Sequence, residues 1–222
     1  MPLSADELER ALADHTWVEH PALPGRRNHR RAGVSVPLDF RGGRVEALLT
    51  LRPTRLNRHG GEVSWPGGRP EAGDAGLEGT ARRETHEELG LQRLRLLGRL
   101  SSMPVYTSDY RLEPFVVAVD PDEPLKPDPG EVERVLRLDL AEALGRPLEG
   151  IHARTPERSW TLPLFLVEDY VVFGATALTL MELLGVVADA TGHPMPDLVP
   201  SALSWEDLRD HGALAARQRS VR

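Results

Sequence analysis

Hydrophobic and polar positions change period several times along the chain. Between Ala5 and His15, Leu8 and Leu12 stand one helical turn apart behind the capping hydroxyl of Ser4, which predicts a short helix packed on the outside. After the Pro- and Arg-rich link "PALPGRRNHRR", the alternating "AGVSVPL" and the run "RVEALLTLR" predict two strands joined by the turn-like "DFRGG". From Arg52 to Gly73 the chain is rich in Gly, Pro and Arg and reads as a long functional loop. A helix follows over about Leu77 to Leu89. Gly90 closes it, because glycine takes the positive φ of a left-handed cap without steric cost.

Further along, "RLRLLGRL", "EPFVVAVD" and "VERVLRLDL" read as strands, the last running into a short helix at Leu140 to Leu144. "WTLPLFLVEDYVVF" reads as two more strands, and "GATALTLMELLGVVADATG" as an apolar helix ended by Gly192, with Leu178, Met181, Leu184 and Val187 as a core stripe. Ser204 with Asp207 resembles a capping box and opens a terminal helix, "SWEDLRDHGALAARQ". These elements suggest an N-terminal helix and linker (1–28), one core domain (29–190) and a C-terminal extension (191–222).

Composition narrows the chemistry. A formal net charge of -7 over 222 residues argues against a broadly basic nucleic-acid surface, so nucleic acid is not an expected partner. With no cysteine, thiolate metal sites and a cysteine nucleophile are excluded, and any metal must sit on oxygen or imidazole. The acidic, amphipathic start has no secretory character and no stretch reaches membrane-spanning length free of charges. The expectation is a cytoplasmic protein without a membrane partner, and a homodimer is compatible with the sequence.

The charged stretch "RRETHEELGL" concentrates three glutamates in five positions. On a helix Glu84, Glu87 and Glu88 share one face, where like charges repel unless cations or water compensate. Read alone, such a run is more often a solvated face than a metal site. Hard divalent cations take oxygen ligands, and a few carboxylates with water and substrate phosphate form such a shell. His86 is rotated by about 200° from Glu84 and points elsewhere.

Upstream context tips the balance. Arg83, Glu84, Glu87, Glu88 and Gly90 stand at the spacing Arg-Glu-x-x-Glu-Glu-x-Gly behind the glycine loop "PGG" at Pro66 to Gly68, and this arrangement resembles the box of the Nudix hydrolase family. Counting back from Arg83 puts the early box Glu on Ala75 and the first Gly on Arg69, so the loop is one residue longer than the common form. The coenzyme A pyrophosphatases share this shift. Their upstream signature is matched by "LLTLRPTRLNRHGGEVSWPGG", with Asn57, Glu62 and Trp65 in place of Arg, Gln and Phe, and their later helix start by "FGATA", with Phe173 in place of Trp. The resemblance covers roughly residues 30 to 190.

This resemblance implies an α/β fold, a Nudix-type α/β/α sandwich around a mixed β-sheet. It implies hydrolysis of the diphosphate linkage in coenzyme A or its derivatives, or else in ADP-ribose, NADH or another nucleotide conjugate; a non-hydrolytic nucleotide-binding module is the reading from another class. Glu84, Glu87 and Glu88 would hold Mg2+ or Mn2+, with Arg83 orienting Glu87, and these four form the implied catalytic set. Glu131 aligns with a position that supplies an extra ligand or base, in competition with Glu133 and Asp128. Arg52, Arg55, Arg58, Gly67 and Gly68 are the implied contacts to a small-molecule nucleotide substrate. Tyr106, Trp160 and Trp205 are candidate stacking partners for adenine, although packing is the commoner fate of an aromatic.

Overall fold

The computed structural model describes residues 3–56, 59–154 and 159–209. Helix α1 (Ala5–Asp14) has the capping box the sequence proposes: Ser4 Oγ accepts from the Glu7 amide, and Glu7 reaches back to the Ser4 amide. Strands β1 (Arg30–Asp39) and β2 (Glu46–Leu51) pair antiparallel across the turn at Arg41–Gly43. Two short strands in the long loop, β3 (Val63–Ser64) and β4 (Gly67–Gly68), lead to helix α2 (Gly76–Leu89), whose C-cap Gly90 is left-handed at φ 73°. Then come β5 (Leu94–Arg99), β6 (Met103–Pro104), β7 (Tyr110–Val119), β8 (Arg134–Asp139) and α3 (Leu140–Leu144). The chain continues through β9 (Leu148–Arg154), β10 (Ser159–Val167), β11 (Tyr170–Val172), α4 (Gly174–Thr191), β12 (Leu198–Pro200) and α5 (Trp205–Arg209).

One sheet runs β3-β2-β1-β7-β5, with β4, β6 and β8 joined at its sides, and β11-β10-β9-β12 form a second. The first is mixed: β1 and β7 are parallel over the register Arg30↔Tyr110 to Leu38↔Ala118, while β2 and β5 run antiparallel to them. Because side chains alternate, each central strand feeds two layers. Val34, Val36, Leu38, Ala47, Leu49, Val116 and Ala118 join Leu180, Leu183 and Leu184 of α4 in the main core. Leu48, Val117 and Val119 point the other way and meet Leu89 and Leu91 at the end of α2. The result is the expected α/β/α arrangement, with α2 on one face and α4 with α1 on the other.

Helix α4 is apolar and long enough, by length and composition, to pass for a membrane span. Its Leu180, Leu183, Leu184 and Val187 are nevertheless buried within the fold. Its Glu182 pairs with His15 at 2.8 Å and accepts from the Ser101 amide, which ties α1 to the sheet. The sequence pattern overlooked β3, β4, β6, β9 and β12, all but one of them only two or three residues long and carrying no period of their own. The proposed terminal helix begins with its capping box, in which Ser204 and Asp207 bond reciprocally, and its continuation past Arg209 lies outside the described residues.

Candidate active site

The glutamates are held where α2 crosses β1 and the β4 loop. Gly33 lets the helix approach, because a Cβ there would meet the Leu77 carbonyl at 2.2 Å. Ser35 fastens the contact by donating to the Ala81 carbonyl at 3.0 Å, and Thr85 Oγ1 lies 2.7 Å from both that carbonyl and Ser35 Oγ. Thr85, at a position where the Nudix box usually has an apolar residue, is fully buried and closes this hydroxyl cluster.

Along the helix the three carboxylates differ in exposure. The Glu87 side chain is 51% exposed and that of Glu84 is 14%, while Glu88 is 1% exposed. Glu88 Oε1 accepts from the Gly67 amide at 3.1 Å, and its other oxygen, Oε2, is buried with no hydrogen-bond partner. Burial pushes the Glu88 carboxyl up to about 7, with the charges of Glu131 and Glu84 adding to the rise and the Gly67 amide and Arg52 opposing it. Burial also raises Glu84, against the pull of Arg83. Gly68 lies directly over the Glu84 carboxylate, and a Cβ there would come within 2.2 Å of Oε1.

Arg83 is the clamp of the site. Its Nη1 donates to Glu87 at 2.8 Å, as the spacing predicts, and its Nη2 lies 3.0 Å from Glu84 and donates to the Arg69 carbonyl at 3.0 Å. Its Nε donates to Asp74 at 3.0 Å. That guanidinium, with the Glu71 amide and the Thr80 hydroxyl, holds the Asp74 carboxyl down at about 2, and Asp74 in turn raises Arg83. Sequence reasoning missed Asp74. The only signal was its place, one residue before Ala75, where the box count puts a Glu.

The remaining candidates separate. Glu131 is exposed, and of the three competing carboxylates it is the one whose charge is among the leading influences that raise both Glu84 and Glu88. Arg52 lines the neighbouring cleft, with its Nε buried and without a hydrogen-bond partner. Arg55 turns away to the Pro129 carbonyl and does not line the cleft. Arg58, like Asn57, lies outside the described residues, and so do the side chains of Trp160 and Trp205. His86 is exposed on the far side of the helix beside Gln92.

Among the described residues no three acidic or imidazole side chains converge into a finished metal cage. Two observations still fit a divalent cation: the unpartnered buried oxygen of Glu88, and a donor set made entirely of carboxylate oxygens. Glu84 and Glu87 are both paired with Arg83.

A cleft of about 710 Å³ opens beside Gly67 and Gly68. Its walls include Arg52, Trp65, Tyr106, Phe173 and Leu208. The His59 ring pairs with Glu62 at 2.9 Å on one side of it. Trp65 is buried and its Nε1 donates to the Thr176 carbonyl at 3.3 Å, joining the loop to the start of α4.

The family model described as the NUDIX domain matches residues 28–158. Two relatives called "uncharacterized Nudix hydrolase NudL", from Escherichia coli O1:K1 and Shigella boydii serotype 18, are each 35% identical over 162 residues, which is 70% of this chain and 82% of theirs. Among solved structures, a MutT/nudix family protein from Enterococcus faecalis aligns over 85% of this chain and 76% of its own at 13% identity, with a TM-score of 0.47.

Proposed function

The chain belongs to the Nudix hydrolase family and is a pyrophosphatase, and on this premise we propose that it cleaves the diphosphate linkage of coenzyme A or an acyl derivative, giving 3',5'-ADP and (acyl-)4'-phosphopantetheine. The family generally uses divalent metals, and we assign Mg2+ or Mn2+ to Glu84, Glu87 and Glu88, with Glu131 as a fourth ligand. The observation that carries the assignment is the buried, unpartnered Oε2 of Glu88 beside Gly67 and Gly68. For the substrate, support comes from the upstream signature: Arg52 and His59, which match it, line the cleft beside Gly67, together with Glu62 and Trp65, which replace its Gln and Phe. The reaction belongs in the cytoplasm, with a free nucleotide conjugate as partner.

When bound, the cation supplies charge neutralisation of the diphosphate and a water of lowered pKa. The chain provides the rest. Asp74 fixes Arg83, and Arg83 fixes Glu84 and Glu87, so that ligand orientation is settled before substrate arrives. Gly68 lets its loop lie directly against the Glu84 carboxylate, and Arg52, partly buried at the edge of the cleft, presents its guanidinium to the diphosphate. Hydrolysis joins a water oxygen to one phosphorus and breaks the bridging P–O bond, and the nearby carboxylates take up the water's proton.

Incubation with coenzyme A, ADP-ribose, NADH, dinucleoside polyphosphates and nucleoside triphosphates, with Mg2+ or Mn2+, tests the substrate. Coenzyme A cleavage into the two named products is expected; intact coenzyme A with another conjugate consumed overturns the assignment. Glu84→Gln should lower turnover by about 10³-fold or more with the fold retained, and full activity in that variant refutes the metal role.

A further inference from the structure

The C-terminal extension lies beyond residues 28–158, the segment matched by the family domain, and the sequence alone assigned it no role. Its described part, residues 191–209, packs onto the fold and brings Leu208 to the cleft. Strand β12 adds to β9 in parallel, with Leu198↔Leu148 to Pro200↔Gly150 in register, and the Ser201 amide donates to the Gly150 carbonyl at 2.9 Å. The Ser204–Asp207 capping box then turns the chain inward. Leu208, 1% exposed, is thereby buried with Ile151 and Leu164, and Phe173 packs against this cluster. Both Leu208 and Phe173 line the cleft.

A short series of contacts orders the cleft. Glu88 holds the Gly67 amide, Trp65 two residues earlier holds the Thr176 carbonyl, and Phe173 three residues before that packs with Leu208. Leu208 is therefore the last contact in the series that starts at Glu88. Another part of the lining is aromatic and cationic: Tyr106, Tyr110 and Arg26, the last donating to the Tyr106 carbonyl at 2.9 Å. Such groups suit a nucleobase and a phosphate. Phe173, backed by the buried Leu208, offers apolar surface, which suits an uncharged chain.

We infer that the C-terminal extension is a specificity element, whose buried Leu208 backs the Phe173 face that receives the uncharged chain carried by the half of the substrate without the adenylate. This rests on the coenzyme A reading, in which that chain is the pantetheine.

The two product halves separate the claims. Titration calorimetry on the full chain with Mg2+ measures binding of 4'-phosphopantetheine and of 3',5'-ADP to the wild type and to Leu208→Trp, which crowds the wall. Affinity for 4'-phosphopantetheine should fall about tenfold and that for 3',5'-ADP by less than about twofold, with coenzyme A hydrolysis changing more in KM than in kcat. An equal loss for both halves, a loss confined to 3',5'-ADP, no change, or no binding of 4'-phosphopantetheine by the wild type overturns the inference. Because Leu208 is buried, Phe173→Ala gives the same reading at a partly exposed position if Leu208→Trp does not fold. A wild type that binds 4'-phosphopantetheine through Leu208 but leaves coenzyme A intact refutes the substrate assignment and retains the wall.

Discussion

Glu88→Gln separates the electrostatic cost of the site from its chemistry. Folding lifts the Glu88 carboxyl from an ordinary 4.5 to about 7 because the side chain is buried. The folded state therefore binds its proton more tightly than the unfolded state, and stability falls as pH rises from about 4.5 through about 7. A shift of that size corresponds to about 3 kcal/mol lost by pH 8 and to about 1 kcal/mol at pH 5, where the unfolded chain is only partly ionised. Glutamine keeps the shape and the acceptor for the Gly67 amide without the charge. In EDTA, thermal unfolding followed by circular dichroism should place the variant above the wild type by about 6 °C at pH 8 and by about 2 °C at pH 5. Added Mg2+ should raise the wild type at pH 8 and leave the variant nearly unmoved, since only a state that binds the ion is stabilised by it. A gap that is the same at both pH values, or a variant less stable than the wild type at pH 8, would refute the reasoning.

Two further substitutions test the supports of the site. Gly68→Ala places a Cβ on the Glu84 carboxylate, so that side chain must swing away; turnover should drop by about 10- to 100-fold with the melting temperature within a few degrees of the wild type, and unchanged turnover would show that Glu84 need not sit under the loop. Asp74→Asn removes the charge that fixes Arg83, and should raise the Mn2+ concentration for half-maximal activity by about tenfold, measured by metal titration of the rate; an unchanged titration would mean Arg83 holds its geometry through Glu84 and Glu87 alone.

How far the sequence reaches is visible in the contrast between Glu88 and Asp74. The helix of Glu88, its Gly90 cap and its shared face with Glu84 and Glu87 follow from local rules, because helical period and glycine φ preferences act within a few residues. The same locality made α4 and its Gly192 cap legible, as well as the Arg83–Glu87 contact four positions apart. What the period cannot state is which member of a face is buried. Glu87 and Glu88 are neighbours in sequence, yet one is half exposed and the other sealed, and the difference is set by Gly67, Gly68 and β1, which arrive from far along the chain. Asp74 was hidden for a related reason: its partner Arg83 is nine residues away across a loop, a distance at which no repeat signals contact. The departures from the family pattern divide in the same way. Thr85 proves to be a buried partner of Ser35, and Trp65 a bond to the α4 backbone, contacts made by residues 50 and 111 positions apart. The three glutamates could thus be located as a group, but their inequality, one carboxylate sealed with a free oxygen and two shared with an arginine, comes from tertiary packing. That inequality, more than the number of charges, sets this helix apart from an evenly solvated acidic face.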